Sequence, residues 1–255
     1  MITLKSLREI ELMRKSGTVT ARVLADLMRA VKPGVRTQEL DLLAERGIRS
    51  SGGVPTFKGY HGFPRSICTS VNEEVVHGIP GSHVLCEGDV LSIDIGTTLD
   101  GYVSDSAVTV GVGKISAEAD RLLRVTQECL MLAIEQMHKG RRLGDVSWAV
   151  QQHAEAHGYG VVRELVGHGV GTKMHEEPQV PNYGSAGSGI VLRPGLVLAV
   201  EPMITLGSRE VRTLKDGWTV ATADGKLAAH FEHTIAVTEE GPKILTLRDI
   251  GELAA

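Results

Sequence analysis

The stretch Asp89-Val90-Leu91-Ser92-Ile93-Asp94-Ile95-Gly96-Thr97-Thr98-Leu99-Asp100-Gly101-Tyr102-Val103-Ser104-Asp105-Ser106-Ala107-Val108-Thr109-Val110 sets two β-prone runs on either side of Asp100-Gly101. Asp-Gly between such runs is a strong hairpin signal, because both central residues of a type I′ turn need positive φ. Asp94 and Asp105 have opposite parity, so any even-length loop places both side chains on one face of the ladder. One register sets them directly opposite; the two-residue register makes them diagonal neighbours. Val90, Val103 and Ala107 share that face and argue for partial burial rather than a solvent-facing strand with acidic decoration. Like charges held this close are destabilising unless something positive sits between them, and a divalent cation meets that need.

Three further ionisable residues lie downstream in apolar or strand-like surroundings. Glu201 ends the fully apolar run Leu196-Val197-Leu198-Ala199-Val200 and precedes Pro202, a poor setting for a surface carboxylate. Glu232 sits in His230-Phe231-Glu232-His233-Thr234-Ile235, where a salt-bridged edge-strand glutamate is the competing reading. His168 lies in Gly167-His168-Gly169-Val170-Gly171, where three glycines let backbone approach whatever the imidazole touches. A phosphate cradle would need a P-loop Lys-Ser/Thr or a G-x-G-x-x-G fingerprint, and neither is present. Isolated buried carboxylates are costly without a cation or hydrogen bonds, and four of them with one imidazole match the ligand set of a divalent-metal pair.

Other polar residues are more ambiguous. His175, in Met174-His175-Glu176-Glu177-Pro178, could reach the same pocket; His77, in Val75-Val76-His77-Gly78-Ile79-Pro80, suits either a turn or a site. His153 and His157, four apart, could bind zinc on a helix, but they lack the H-E-x-x-H glutamate and their face is polar, so they read as solvated helix surface. No G-x-S-x-G elbow appears, and Cys68 has the apolar neighbours of a packed thiol or pocket liner.

Outside the hairpin, Ser6 and Glu9 form a capping box before a helix with Leu24, Leu27, Met28 and Val31 at helical spacing, ended by Lys32-Pro33-Gly34. Thr37 is a cap for a second helix, stopped at Ser51-Gly52-Gly53. After Ser116 a third helix runs to Lys139-Gly140, then a fourth, capped by Asp145, ends near Gly158. Helix, helix, strands therefore occurs twice, and aligning Gly34 with Gly140 also brings Glu39 onto Asp145 and Leu40 onto Val146. The expected fold is α+β and internally duplicated, a single catalytic domain with halves of about 1–112 and 113–255.

The 255 residues, 42% hydrophobic and 23% charged, suffice for a substantial core. A net charge of −4, scattered Lys and Arg and few aromatics argue against nucleic acid or an anionic membrane as partner. With no apolar leader or spanning stretch, the chain reads as cytoplasmic. Cys68, Cys86 and Cys129 support neither a disulfide framework nor a zinc ribbon.

Taken in order, Tyr60-His61-Gly62-Phe63-Pro64, Ser70-Val71-Asn72-Glu73-Glu74-Val75-Val76-His77-Gly78-Ile79-Pro80, Asp94-Ile95-Gly96, Asp105, Gly167-His168-Gly169-Val170-Gly171, His175-Glu176-Glu177-Pro178, Glu201-Pro202 and Phe231-Glu232-His233-Thr234 resemble the type I methionine aminopeptidases, over essentially the whole chain. The resemblance implies a pita-bread fold, two pseudo-symmetric α+β halves with a curved antiparallel sheet covered by helices. It implies removal of initiator methionine from nascent chains with a small second residue, through water activated by two divalent ions (Co, Mn, Fe or Zn). By motif, the metal ligands would be Asp94, Asp105, His168, Glu201 and Glu232, with Asp105 and Glu232 bridging. Glu201 would also shuttle a proton, and His77 and His175 would be catalytic and touch substrate. The methionine pocket would comprise Tyr60, Phe63, Cys68, Met174 and Trp218, with Met174 standing where the family pattern has an aromatic. Nascent-chain N-termini are the implied partners, with transient ribosome association and a monomeric state. Bulky Ile2 would leave the chain's own Met1 in place. The rival readings are a proline-directed peptidase of the same superfamily, which usually carries an extra N-terminal domain, and a catalytically silent ribosome- or RNA-associated relative, which typically lacks ligands.

Overall fold

The computed structural model describes residues 2–248; Met1, and with it the retention expected above, lies outside them. Four helices, α1 (Leu7–Ala30), α2 (Thr37–Ser50), α3 (Ala117–Ile134) and α4 (Leu143–Ala156), pack with short antiparallel strands. Ser6 Oγ accepts from the Glu9 amide while the Glu9 carboxylate accepts from the Ser6 amide, so the capping box that opens α1 is formed. Two expected caps shift. Arg36, not Thr37, occupies the N-cap of α2, and its amide is satisfied by Glu39 at 2.7 Å. Thr37 has turned instead to the backbone of Gly81. Asp145 does cap α4, from its third residue, by accepting from the Arg142 amide at 2.9 Å. The third helix is shorter than its apolar periodicity suggested: α3 stops at Ile134, and a run of tight turns carries Met137 into the core.

The hairpin forms between Val90–Leu99 and Tyr102–Gly111 with the two-residue turn, Leu99 opposite Tyr102. Asp100 and Gly101 have φ of 51° and 80°, as type I′ requires. Asp94 therefore pairs with Ala107 and Asp105 with Gly96, the diagonal arrangement. Ile67–Val71 and Val54–Pro55 extend this sheet on the other edge of Val90–Leu99. α1 lies across it, anchored by Ser16 Oγ donating to the Thr97 carbonyl and by buried hydroxyl contacts of Ser16 and Thr20 with Ser104.

In the second half, the sheet order is Pro242–Ile244, His233–Val237, Val197–Val200, Gly167–Gly169, Glu176–Val180. Two contacts of the first part of the chain recur in the second. Gly34 N bonds to Leu85 O as Gly140 N bonds to Leu192 O, and the lone bridge Arg36–Val84 recurs as Arg142–Val191. A seam joins the halves. Glu232 N and Ala107 O lie 3.0 Å apart, and Thr234 Oγ1 accepts from Asp105 N and donates to Asp105 O. One hydrophobic core runs through both halves, including Leu27, Ile48, Ile93, Leu130, Ile204 and Ile235. Among the described residues no helix is long and apolar enough to cross a membrane.

Candidate functional site

The hairpin and the seam place the acidic groups. Asp94 and Asp105 project from adjacent strands of the first half, while the second half supplies His168, Glu201 and Glu232. His168 lies in the Gly167–Gly169 strand, and Glu201 directly follows Val197–Val200. Glu232 is not within a strand: Phe231 and Glu232 form a break between Ala228–His230 and His233–Val237, which belong to different sheets. The break frees the Glu232 side chain to point inward, where it is 1% exposed.

The glycines around His168 serve strand packing. A Cβ on Gly167 would meet the Ala199 carbonyl oxygen at 2.4 Å and one on Gly169 that of Glu177 at 2.3 Å. Bulkier residues would push neighbouring strands away and carry His168 with them. His168 Nδ1 donates to the Gly169 carbonyl at 2.9 Å, leaving the Nε2 lone pair facing Asp105 Oδ2 at 3.7 Å and Glu201 Oε1 at 3.6 Å. Ligand atoms of Asp105, His168 and Glu232 lie within 4.8 Å of one another.

Electrostatically this cluster is strained. Burial raises Asp94 well above the usual carboxylate range, and Asp105 beside it adds to the rise. Burial lifts Asp105 to about 7, and burial followed by neighbouring carboxylates pushes Glu201 and Glu232 up as well. Burial pushes His168 down, so its imidazole is neutral near pH 7. Buried oxygens of Asp94, Asp105 and Glu232 have no hydrogen-bond partner among the described residues. Orphaned acceptors gathered about a free imidazole lone pair are the donor set of a divalent-cation centre, and these residues fit such an occupant.

Beside them opens a cavity of about 230 Å³. All the residues expected at the site line it: Asp94, Asp105, His168, Glu201 and Glu232; His77 and His175; and Tyr60, Phe63, Cys68, Met174 and Trp218. Phe63 and Trp218 meet edge to face at 5.1 Å, and Cys68 stands opposite Asp94 in the sheet. Tyr60 Oη lies 2.7 Å from His175 Nδ1, and the His168 and His175 rings are 4.3 Å apart. Burial, then the neighbouring His168, lowers His175 to about 4. His77 has φ of 61°, a strained conformation that turns it into the cavity. A wider trough of about 700 Å³ continues past His168 and His175 between Lys5, Tyr102 and the 172–179 segment.

Sequence reasoning missed three residues. Phe57 and His61 also line the cavity. Phe57 had a detectable signal: Gly96 interrupts a strand two residues after Asp94, and a Cβ there would meet Phe57 Cε1 at 2.6 Å. His230 is 1% exposed, with its Nε2 3.8 Å from Glu201 Oε2 and both ring nitrogens unpartnered. Its position two residues before Glu232 was the available hint.

The profile of metallopeptidase family M24 matches residues 11–239. The methionine aminopeptidase of Clostridium perfringens is 53% identical over 97% of this chain and 99% of its own length. The crystal structure of methionine aminopeptidase from Thermotoga maritima superposes with a TM-score of 0.95 at 45% identity, covering 96% of this chain and 99% of that one. The prolidase of Pyrococcus furiosus shares the fold at 21% identity and a TM-score of 0.77, with 96% of this chain matching 66% of that one.

Proposed function

Because the chain belongs to metallopeptidase family M24, we propose that the cavity is the active centre of a methionine aminopeptidase, which hydrolyses initiator methionine from nascent proteins and peptides. The observation that carries this reading is the set of buried, unpartnered carboxylate oxygens around the free Nε2 of His168. Asp94, Asp105, His168, Glu201 and Glu232 would hold two divalent ions (Co, Mn, Fe or Zn). When bound, such a pair supplies Lewis acidity, lowering the pKa of water and anchoring the free α-amine that only an N-terminus offers.

The chain's own groups then divide the work. Glu201 takes the proton from the attacking water and hands it to the leaving amine, a role that needs a carboxylate within hydrogen-bond reach of that water. Tyr60, protonated because burial raises its phenol, donates to His175 Nδ1, which sets the proton of the neutral imidazole on Nε2. That N–H points its charge at the carbonyl oxygen as negative charge develops there. His77 contacts the amide nitrogen beyond the scissile bond. Tyr60, Phe63, Cys68, Met174 and Trp218 hold the methionine side chain, whose thioether suits aromatic edges. The trough beyond His175 takes the rest of the peptide and sets the preference for a small second residue. Both halves act as one catalytic unit, a cytoplasmic monomer that meets nascent chains with transient ribosome contact.

Assay of Met-Gly-X and X-Pro peptides with added metal tests the substrate. Methionine release is expected, and cleavage of X-Pro alone overturns it. Asp105→Asn should lose bound metal and more than about 100-fold of kcat/KM; a fully active, fully loaded variant would remove the two-ion assignment.

A further inference from the structure

Three side chains outside the central cavity meet between α3 and α4. Glu128 comes from α3, His153 from α4, and His157 is the C-terminal cap of α4, one turn beyond. All are half-buried, and a ligand atom from each lies within 4.8 Å of the other two. His153 Nε2 is 2.8 Å from Glu128 Oε2, and the two imidazole centroids are 4.5 Å apart. His157 Nδ1 lies 2.8 Å from the His153 carbonyl oxygen. A carbonyl can only accept, so Nδ1 carries the proton and the Nε2 lone pair is left free, the orientation metal-bound histidines usually have.

The end of α4 favours a cation. His157 stands at the carbonyl end of α4, where the helix carries partial negative charge. Arg124 Nη1 lies 3.4 Å from Glu128 Oε1, so it engages one carboxylate oxygen and leaves Oε2 to face the histidines. A recess of about 380 Å³ opens beside Glu128 and His153. Two imidazoles and one carboxylate suit borderline ions such as Zn²⁺ over Mg²⁺ or Ca²⁺. The alternative is a plain hydrogen-bonded helix surface, which would not discriminate between variants in zinc uptake.

We propose that Glu128, His153 and His157 form a second kind of metal site, a zinc-class strut that ties α3 to α4 and takes no part in peptide hydrolysis. Such a site binds the folded chain and not the unfolded one, so zinc stabilises the second half by mass action.

The test uses the folded chain with its central site already loaded, dialysed against micromolar free Zn²⁺. Wild type should take up one more equivalent of zinc than His157→Ala, while both hydrolyse Met-Gly-X at the same rate. Glu128→Gln, which preserves shape, should weaken that extra equivalent about tenfold. Zinc should raise the Tm of wild type by more than it raises that of His157→Ala. Equal zinc uptake by wild type and both variants overturns the site. If His157→Ala does not fold, Glu128→Gln decides alone: uptake matching wild type across the zinc titration overturns the proposal.

Discussion

Glu232 shows what a preassembled acidic centre costs the chain that carries it. Its carboxylate is buried, one oxygen has no partner, and desolvation followed by Asp105, Glu201 and Asp94 pushes its pKa up. Glu232→Gln should therefore raise the Tm of the metal-free protein at about pH 8, by ~2–4 °C for each kcal/mol relieved, while weakening metal binding. A metal-free Tm unchanged or lowered by the substitution would contradict this account. The pH dependence follows from Asp105, raised to about 7 in the fold, against ~3.9 for an unfolded aspartate. The folded state thus keeps a proton that the unfolded chain loses, and the stability this gives is complete below pH ~4 and lost as pH climbs through about 7. Metal needs the same carboxylate ionised, so the Tm gain from saturating Mn²⁺ should be larger at about pH 7.5 than at about pH 5.5. These charges were legible in the sequence because ionisable residues inside β-prone, apolar runs have few bland explanations. His230 was harder to read, because its position two residues before Glu232 was the one local hint and its approach to Glu201 is made only by the fold.

At the level of elements, the segment carrying His175 is held from a distance. Lys5 Nζ reaches Glu176 Oε2 at 2.7 Å, with both side chains largely buried, and the Lys5 amide is fixed by the Gly195 carbonyl. Gly171 has no room for a Cβ between Glu176 and the Lys5 stem. Breaking a buried pair from one side strands the other charge, a penalty of about 3–5 kcal/mol when burial is complete and less here. Lys5→Met should lower Tm and reduce kcat more than it raises KM, because His175 loses its fixed position. Adding Glu176→Met should restore part of the Tm but not kcat; equal recovery of both would show that the ion pair does not position His175. Turn and cap chemistry made most helix starts readable, yet α3 ended early because Met137 reaches the core through turns that apolar periodicity cannot distinguish from helix. Glu128 escaped notice for a simpler reason: it lies on a different helix from His153 and His157, and only tertiary packing brings them together.

For the whole molecule, the seam decides whether the centre exists. Thr234 Oγ1 binds both the amide and the carbonyl of Asp105, so one hydroxyl aligns a first-half carboxylate with the second-half sheet. Thr234→Val leaves two buried backbone groups of Asp105 short of a partner, at about 1–3 kcal/mol. It should lower Tm and metal affinity together, read by calorimetry and metal titration. Loss of stability with metal affinity intact would separate the seam from the site. The expected repeat rests in the sequence on helix starts at matching offsets, while the matched hydrogen bonds join partners about 50 residues apart and could not be read there. Asp94 and Asp105 come from one half and His168, Glu201 and Glu232 from the other. Because one chain carries all five, their meeting is intramolecular, and the centre assembles at any dilution of the protein.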